Sequence, residues 1–424
     1  VRRLLCTAAL WPSLLAQDAG IPKLTLAEAE VRALKNHPSL GAAQANAQAA
    51  RAVVQEVRSS YFPTLSGNIT GVGAERDTAI AAGNVTTSSL ANRIASGVFL
   101  NQMLFDFGRT SGLARTAQLR AGAQDVQAQF TRAQILLRVR QAYFRALAAD
   151  AVLRVAQETV AARKLTLKQV AALARSSLKS SLDVSFAEVN VSEAELALFR
   201  AENDIKAAFA ELAGAMGVEG DTYRLVNEPM PDPPPDQVEP LIQDALRARQ
   251  DLAALRLQHD AAKSFADAEG RLKYPTFSAI ASAGVLPTRE EKLHGRYSAA
   301  GLNISIPVLN GSLFSARRAE ATAKSQAAAL EVRNLELRVT RDVKIAWLNA
   351  INALRRLELT GRLLEQANRT LKLAQARYDL GLSSIVELTQ AQLSKTAAEI
   401  ASAGAQHDYQ IQRSALDYET GALR

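Results

Sequence analysis

Four histidines, His37, His259, His294 and His407, are the side chains from which a chain of 424 residues would assemble a zinc or acid–base site. They are scattered, with neither HExxH-type spacing nor paired acidic neighbours, so neither chemistry is expected. His37 stands before Pro38 and reads as helix punctuation rather than as a ligand. Gly71-Val72-Gly73 lacks the third glycine and the following helix start of a dinucleotide turn, and no GxxxxGK[ST] occurs. The single cysteine, Cys6, falls in an N-terminal segment with the marks of a secretory signal, so the exported chain would hold no disulfide, thiolate metal site or cysteine nucleophile. No catalytic, cofactor or metal residues are expected, and the chain does not read as an enzyme. The most informative polar residues are Asp183 and Glu387. Each follows a break in a helical pattern, where an acid is favoured beside the positive end of the helix dipole.

The elements around these residues are mostly helical. Lys and Arg number 50 against 42 Asp and Glu, a formal net charge of +8. The two signs alternate without a block of five or six like charges, which favours solvated helical faces over a nucleic-acid tail. Aromatics make up only 5%, too few for a large aromatic core. No apolar run approaches the roughly 18 residues of a transmembrane helix. Val1-Arg2-Arg3 followed by apolar Leu4 to Ala16, with small residues at Ala16 and Ala19, marks residues 1–19 as a signal peptide.

One pattern is written twice. Ala33-Leu34-Lys35-Asn36-His37-Pro38-Ser39-Leu40 recurs as Ala245-Leu246-Arg247-Ala248-Arg249-Gln250-Asp251-Leu252, and Tyr61-Phe62-Pro63-Thr64-Leu65 recurs at the same offset as Lys273-Tyr274-Pro275-Thr276-Phe277. At a slightly shorter offset Leu104-Phe105-Asp106 corresponds to Val308-Leu309-Asn310, Leu182-Asp183-Val184 to Val386-Glu387-Leu388, and Gly217 to Gly421. The first copy is expected over 24–217, with strands at about 64–107 and a helical hairpin at about 109–217. The second is expected over 241–424, with strands at about 275–309 and a hairpin at about 311–421. Leu24 to Ser60 and Pro240 to Arg271 read as the helix that opens each copy. Between the copies, 218–240 holds six of the 13 prolines and reads as an extended linker whose role is to span rather than to pack.

In Leu302-Asn303-Ile304-Ser305-Ile306-Pro307-Val308 the alternation is strict, with Leu302, Ile304, Ile306 and Val308 on one face and Ile304 near the middle of the row. Four such strands leave unpaired edges, and a barrel in lipid must be closed. Four are too few for a membrane barrel in one chain, so several chains sharing a barrel is one solution. Tyr61, Phe62, Phe99, Phe105, Phe107, Tyr274, Phe277 and Tyr297 fall in or beside these segments, as aromatic girdles would. A small soluble sheet domain with aromatic core is the other solution, and periodicity alone does not separate the two.

The signal segment, the duplicated order, Leu104-Phe105-Asp106-Phe107-Gly108 entering a long helix, and Tyr378-Asp379-Leu380-Gly381-Leu382-Ser383-Ser384-Ile385-Val386-Glu387-Leu388 at a helical turn together resemble the TolC family of bacterial outer-membrane channel proteins, from about Leu24 to Arg424. The resemblance implies a mainly α fold with a membrane β-barrel portion. A homotrimer would close a 12-stranded barrel in outer-membrane lipid and continue it as an α-helical tunnel across the periplasm. It implies the exit duct of a tripartite efflux pump or type I secretion system, a passive conduit coupled through a periplasmic adaptor to an inner-membrane RND or ABC transporter. No nucleic acid takes part. At the closed periplasmic mouth, Asp183 matches an acid that can bond with the tyrosine matched by Tyr378, and Glu387 matches a pore-facing acid. Ser383 stands where the family's arginine helps lock the mouth, and Gln390 replaces a second acid, which implies a weaker lock and a single acidic ring. Ser180, Ser181, Gly381, Leu382, Ser383 and Ser384 would be the turns that meet the adaptor. A periplasmic adaptor is the first rival, though it would carry one hairpin, not two. A coiled-coil scaffold without membrane contact is the second.

Overall fold

The structure is a computed structural model and describes residues 22–73, 80–82, 85–87, 93–176, 179–220, 223–289 and 294–423. The expected signal segment, with Cys6, lies outside them. In chain order the elements are β1 (Lys23–Leu24), α1 (Leu26–Asn36), α2 (Pro38–Ser59), β2 (Thr64–Val72), β3 (Ile80–Ala82), β4 (Val85–Thr87), β5 (Arg93–Phe105), α3 (Arg109–Arg175), α4 (Ser181–Met216), β6 (Arg224–Leu225), α5 (Glu239–Ala248), α6 (Gln250–Glu269), β7 (Thr276–Arg289), β8 (Arg296–Ser305), α7 (Leu313–Asp379) and α8 (Ile385–Glu419). The chain divides into two compact units, residues 1–38, 132–238 and 343–424 in the first, 39–131 and 239–342 in the second.

Helix boundaries follow local chemistry. Thr25 opens α1 with a reciprocal capping box, its Oγ1 accepting from Glu28 N–H at 3.3 Å while Thr25 N–H donates to Glu28 Oε2 at 3.1 Å. Pro38, which has no N–H to offer and disfavours helix at the residue before it, ends α1 at His37 and begins α2. The helix expected to run unbroken from Pro240 to Arg271 is instead two, α5 and α6. They part at Arg249, whose backbone is extended at φ −67° and ψ 125° and whose guanidinium bonds the Asp251 carboxylate at 2.7 Å. Arg249 is the repeat-mate of His37, so the same break occurs here without a proline to announce it.

In the first unit, β1 and β6 pair in parallel, Lys23 with Arg224 and Leu24 with Leu225. Tyr143 of α3 is fully buried beneath them, and its hydroxyl lies 2.7 Å from the Val226 carbonyl and 2.9 Å from that of Leu24. Gly217 closes α4 at φ +67°, where a Cβ would stand 2.8 Å from the Cα of His37. The linker does more than span. A proline-rich strand makes no hydrogen bonds of its own, so its carbonyls need outside donors. Tyr409 Oη donates to Asp232 O at 2.9 Å, Gln410 Nε2 to Glu228 O at 3.2 Å, and Trp347 Nε1 to Pro235 O at 2.8 Å. Pro234 is buried.

In the second unit, β2, β5, β7 and β8 form one antiparallel sheet in that order, with β3 and β4 a separate small hairpin. The register fixes which side chains share a face, because successive residues of a strand point to opposite sides. One face carries Leu65 and Ile69 of β2, Val98 and Leu100 of β5, Ala281 and Ala283 of β7, and Leu302 and Ile304 of β8. The other carries Thr64, Ser66 and Asn68, then Gly97, Phe99 and Asn101, then Ser278, Ser282 and Gly284, then Tyr297 and Asn303. Tyr297 lies across Gly97 and Gly284, where a Cβ would come within 2.2 Å and 2.5 Å of its hydroxyl.

Two expectations change here. The alternating row read through Val308 leaves the sheet at Ser305, because Pro307 has no N–H for a ladder. Ile304 is not at mid-row either. It pairs with Phe277, which pairs with Phe105, so it lies at the end of the sheet. That end is aromatic: Phe107 is 4.8 Å from Phe105 and stacked 5.1 Å from Tyr274, ring centre to ring centre. Asp106 turns the chain into α3, Oδ1 accepting from Gly108 N–H at 3.0 Å and Oδ2 from Thr110 N–H at 2.6 Å.

Candidate functional site

In the first unit, the turns at the ends of α3 and α7 hold the polar residues singled out from sequence. Ser180 caps α4, its Oγ accepting from Leu182 N–H at 3.1 Å while Asp183 Oδ2 accepts from Ser180 N–H at 3.1 Å. Ser384 caps α8, accepting from Glu387 N–H at 3.3 Å. α7 closes on Gly381 at φ +73°, with Gly381 N–H on Tyr378 O at 3.0 Å and Leu382 N–H on Arg377 O at 2.8 Å. This turn brings Arg377 Nε to 3.5 Å from Glu387 Oε1, a pair that spacing alone did not reveal. Gln390, one turn beyond Glu387 on α8, is exposed, as are Ser180, Ser181, Gly381, Leu382 and Ser384.

Tyr378 packs with Val170, Ile385 and Leu388, flanked by Val184 and Leu371, and the Lys179 ammonium stands 4.3 Å above its ring. Within the chain the expected Asp183–Tyr378 bond is not made. The Tyr378 hydroxyl is buried without a hydrogen-bond partner, and the Asp183 carboxylate is engaged in its capping box. Burial first, then the charges of Asp183 and Asp379, push the Tyr378 phenol above its ordinary value. Ser383, half-buried, likewise has a buried hydroxyl without a partner.

The histidines stay apart. His407 is buried and meets Gln410 Oε1 through Nδ1 at 2.9 Å, and burial lowers its basicity. His259 has a single acidic neighbour, Asp260, at 3.1 Å on α6, not a pair. Among the described residues no group of three or more His, Cys, Asp or Glu is placed to hold a metal ion, and no helix is long and apolar enough to cross a membrane.

The second unit holds the other candidate surface, the apolar face of the sheet. Ile69 is 83% exposed and Leu302 77%, while the opposite face is mostly Ser, Thr, Asn and Gly. Large apolar groups left bare in a row mark a face made for another apolar phase.

The chain thus combines an amphipathic antiparallel sheet with two proline-free helices of 67 residues each. The chain belongs to the outer membrane efflux protein family, whose model matches residues 31–218 and again 241–422. It is 24% identical over 400 residues to the outer membrane protein TolC of Salmonella enteritidis, covering 92% of this chain and 80% of that protein. It is 25% identical over 423 residues to the outer membrane protein OprJ of Pseudomonas aeruginosa, covering 92% and 85%. Among solved structures it resembles CusC, whose crystal structures concern conformational changes accompanying folding and transmembrane channel formation, with a TM-score of 0.83, 18% identity and coverage of 98% of this chain and 99% of that one. The protein is a TolC-family outer-membrane protein of the efflux class.

Proposed function

We propose that three copies of the chain close one 12-stranded barrel in the outer membrane and continue it as a helical duct, the exit of a tripartite efflux pump or a type I secretion system. The observation that carries this reading is the sheet: four strands, apolar on one face and polar on the other, with β2 and β8 each unpaired along one edge among the described residues. In lipid such edges must be paired, and edge-to-edge joining of three sheets satisfies every backbone group. The apolar face then meets lipid, and Asn68, Asn101, Asn303 and the serines line the lumen. The two matched segments, 31–218 and 241–422, support the duplicated halves and the linker between them.

The duct is passive. Energy comes from an inner-membrane RND or ABC transporter reached through a periplasmic adaptor, which meets the turns around Ser180, Ser181 and Gly381 to Ser384. Asp183, Tyr378, Glu387 and Gln390 lie at the mouth, with Glu387 forming the acidic ring. Detergent-purified protein is expected to have the mass of a trimer by light scattering. A folded monomer with an intact β signal in circular dichroism overturns the shared barrel.

A further inference from the structure

Arg163 is out of place. It lies on the buried stripe of α3 with Val160 and Val170 and is 4% exposed, yet its Nη1 has no hydrogen-bond partner. Among the described residues no carboxylate reaches it as an ion pair. Glu193 of α4 acts on it from a distance, and burial outweighs that attraction, lowering the guanidinium's affinity for its proton. A guanidinium stays charged in almost any setting, so a buried one needs an anion close by.

The groove that Arg163 lines shows where such an anion fits. It has a volume of about 580 Å³ between α3, α7 and α8 of the first unit, within the range of small-molecule sites. Leu165 and Leu371 supply apolar wall, and Thr159, Thr166, Gln392 and Thr396 supply hydroxyls and amides. Those four polar groups are bonded in pairs across the groove, Thr159 to Thr396 at 3.3 Å and Gln392 to Thr166 at 3.3 Å, and neither bond involves Arg163. Three cations, Arg163, Lys372 and Lys395, and three acids, Glu158, Asp379 and Glu399, line the groove, so its walls carry no net charge. Two of the acids are engaged, Glu399 by Lys395 at 2.6 Å and Asp379 by Gln375 at 2.9 Å. A wall of no net charge with one buried guanidinium whose Nη1 lacks a partner suits a single negative charge on an apolar body and disfavours a polyanion.

We propose that this groove is a binding site for a small organic monoanion, an aryl or alkyl carboxylate or sulfonate, held by Arg163 through its charged group and by Leu165 and Leu371 through its apolar body. Occupied, the site ties α3 to α7 and α8. This assignment goes beyond the export-duct reading, since it requires neither the barrel nor a transporter.

The test uses the purified full-length chain in neutral detergent. Naphthalene-1-sulfonate is titrated by calorimetry, with naphthalene-1-sulfonamide as the uncharged analogue and naphthalene-1,5-disulfonate as the dianion. One saturable site per chain is expected for the monosulfonate, with binding at least about tenfold weaker for both analogues and a ligand-dependent rise in Tm. Arg163→Leu is expected to lose the site and, being rid of a buried unpaired charge, to unfold at or above the parent's Tm without ligand. Should Arg163→Leu fail to fold, Ala162→Phe, which fills the groove, is expected to abolish binding with Arg163 in place. Equal binding of sulfonate and sulfonamide, unchanged binding in Ala162→Phe, or no saturable site in the parent because a protein segment already fills the groove, each overturns the proposal.

Discussion

Depth in the sheet decides what a charge costs, and the register supplies the depth. Ile304 stands level with Phe277 and Phe105 at the aromatic end, whereas Val98 pairs with Ala283 and Gly67 about halfway along β5. If the apolar face meets lipid, an arginine at mid-depth costs about 2–4 kcal/mol and one near the interface about 0–1 kcal/mol. Val98→Arg is therefore expected to shift the balance between folded and unfolded chain by roughly 30- to 700-fold, and Ile304→Arg by about fivefold or less, taking about 1.4 kcal/mol per factor of ten. Asn68→Arg is the control on the polar face, opposite Gly97 and at nearly the same depth as Val98; it should insert like the parent. The assay is urea unfolding from lipid vesicles, followed by tryptophan fluorescence and by the gel shift of heat-resistant trimers. Equal stabilities for Val98→Arg and Asn68→Arg would mean that the two faces see the same surroundings, and the lipid-facing assignment would fall.

Three further outcomes are expected. Tyr143→Phe removes the one proton that serves the Val226 and Leu24 carbonyls, at a cost of about 1–3 kcal/mol. In the parent, burial lifts the Tyr143 phenol from 10.0 to about 12, so its contribution is complete below pH 10 and is lost as pH rises through about 12; tyrosinate absorbance during alkaline unfolding should show that loss in the parent and not in the variant. Glu387→Gln breaks only an exposed pair with Arg377 and should leave Tm nearly unchanged, while lowering cation preference and block by multivalent cations in planar bilayers; unchanged selectivity removes the acidic ring. Tyr378→Phe deletes a buried hydroxyl with no partner in the chain, so stability should hold or rise, and combined with Asp183→Ala it should raise bilayer conductance more than either change alone if assembly brings the two together at the mouth.

What could be read from sequence depended on how local the signal was. The long helices were legible because α3 and α7 each hold 67 residues without a proline, and their ends were marked by Asp106 and Gly381. The strand pattern was legible by alternation, but its end and its depth were not, since both depend on partners far along the chain: Pro307 matters only once β8 needs a donor, and Ile304 is terminal only because Phe277 faces it. The break at Arg249 carried no proline. β1 and β6, two residues each, are too short for any periodicity to show. At the turns, Asp183 and Glu387 were found as helix-start acids, and both lie in the first turn of their helices, three residues past the caps Ser180 and Ser384. Arg377 and Arg163 were missed because a cation in a helix looks alike on every face until the neighbouring helix shows which face is buried, and Lys179 because it lies in the turn between α3 and α4, where nothing local points it at Tyr378.

The order of the strands also sets a timetable. β5 and β7 form the middle pair of the sheet, Phe105 against Phe277, yet all of α3 and α4 lies between them along the chain. A ribosome releases β2 and β5 long before β7 exists, so the sheet's central ladder cannot start to form until most of the chain has emerged. Non-local pairing of this kind is slow, because the closure of a very long loop precedes any gain from contacts. The helices, whose hydrogen bonds are all local, can form first. During that interval Ile69 and Val98 remain bare and prone to aggregate. A chain of this design therefore needs holding partners in transit, and it should yield poorly when translation outruns them.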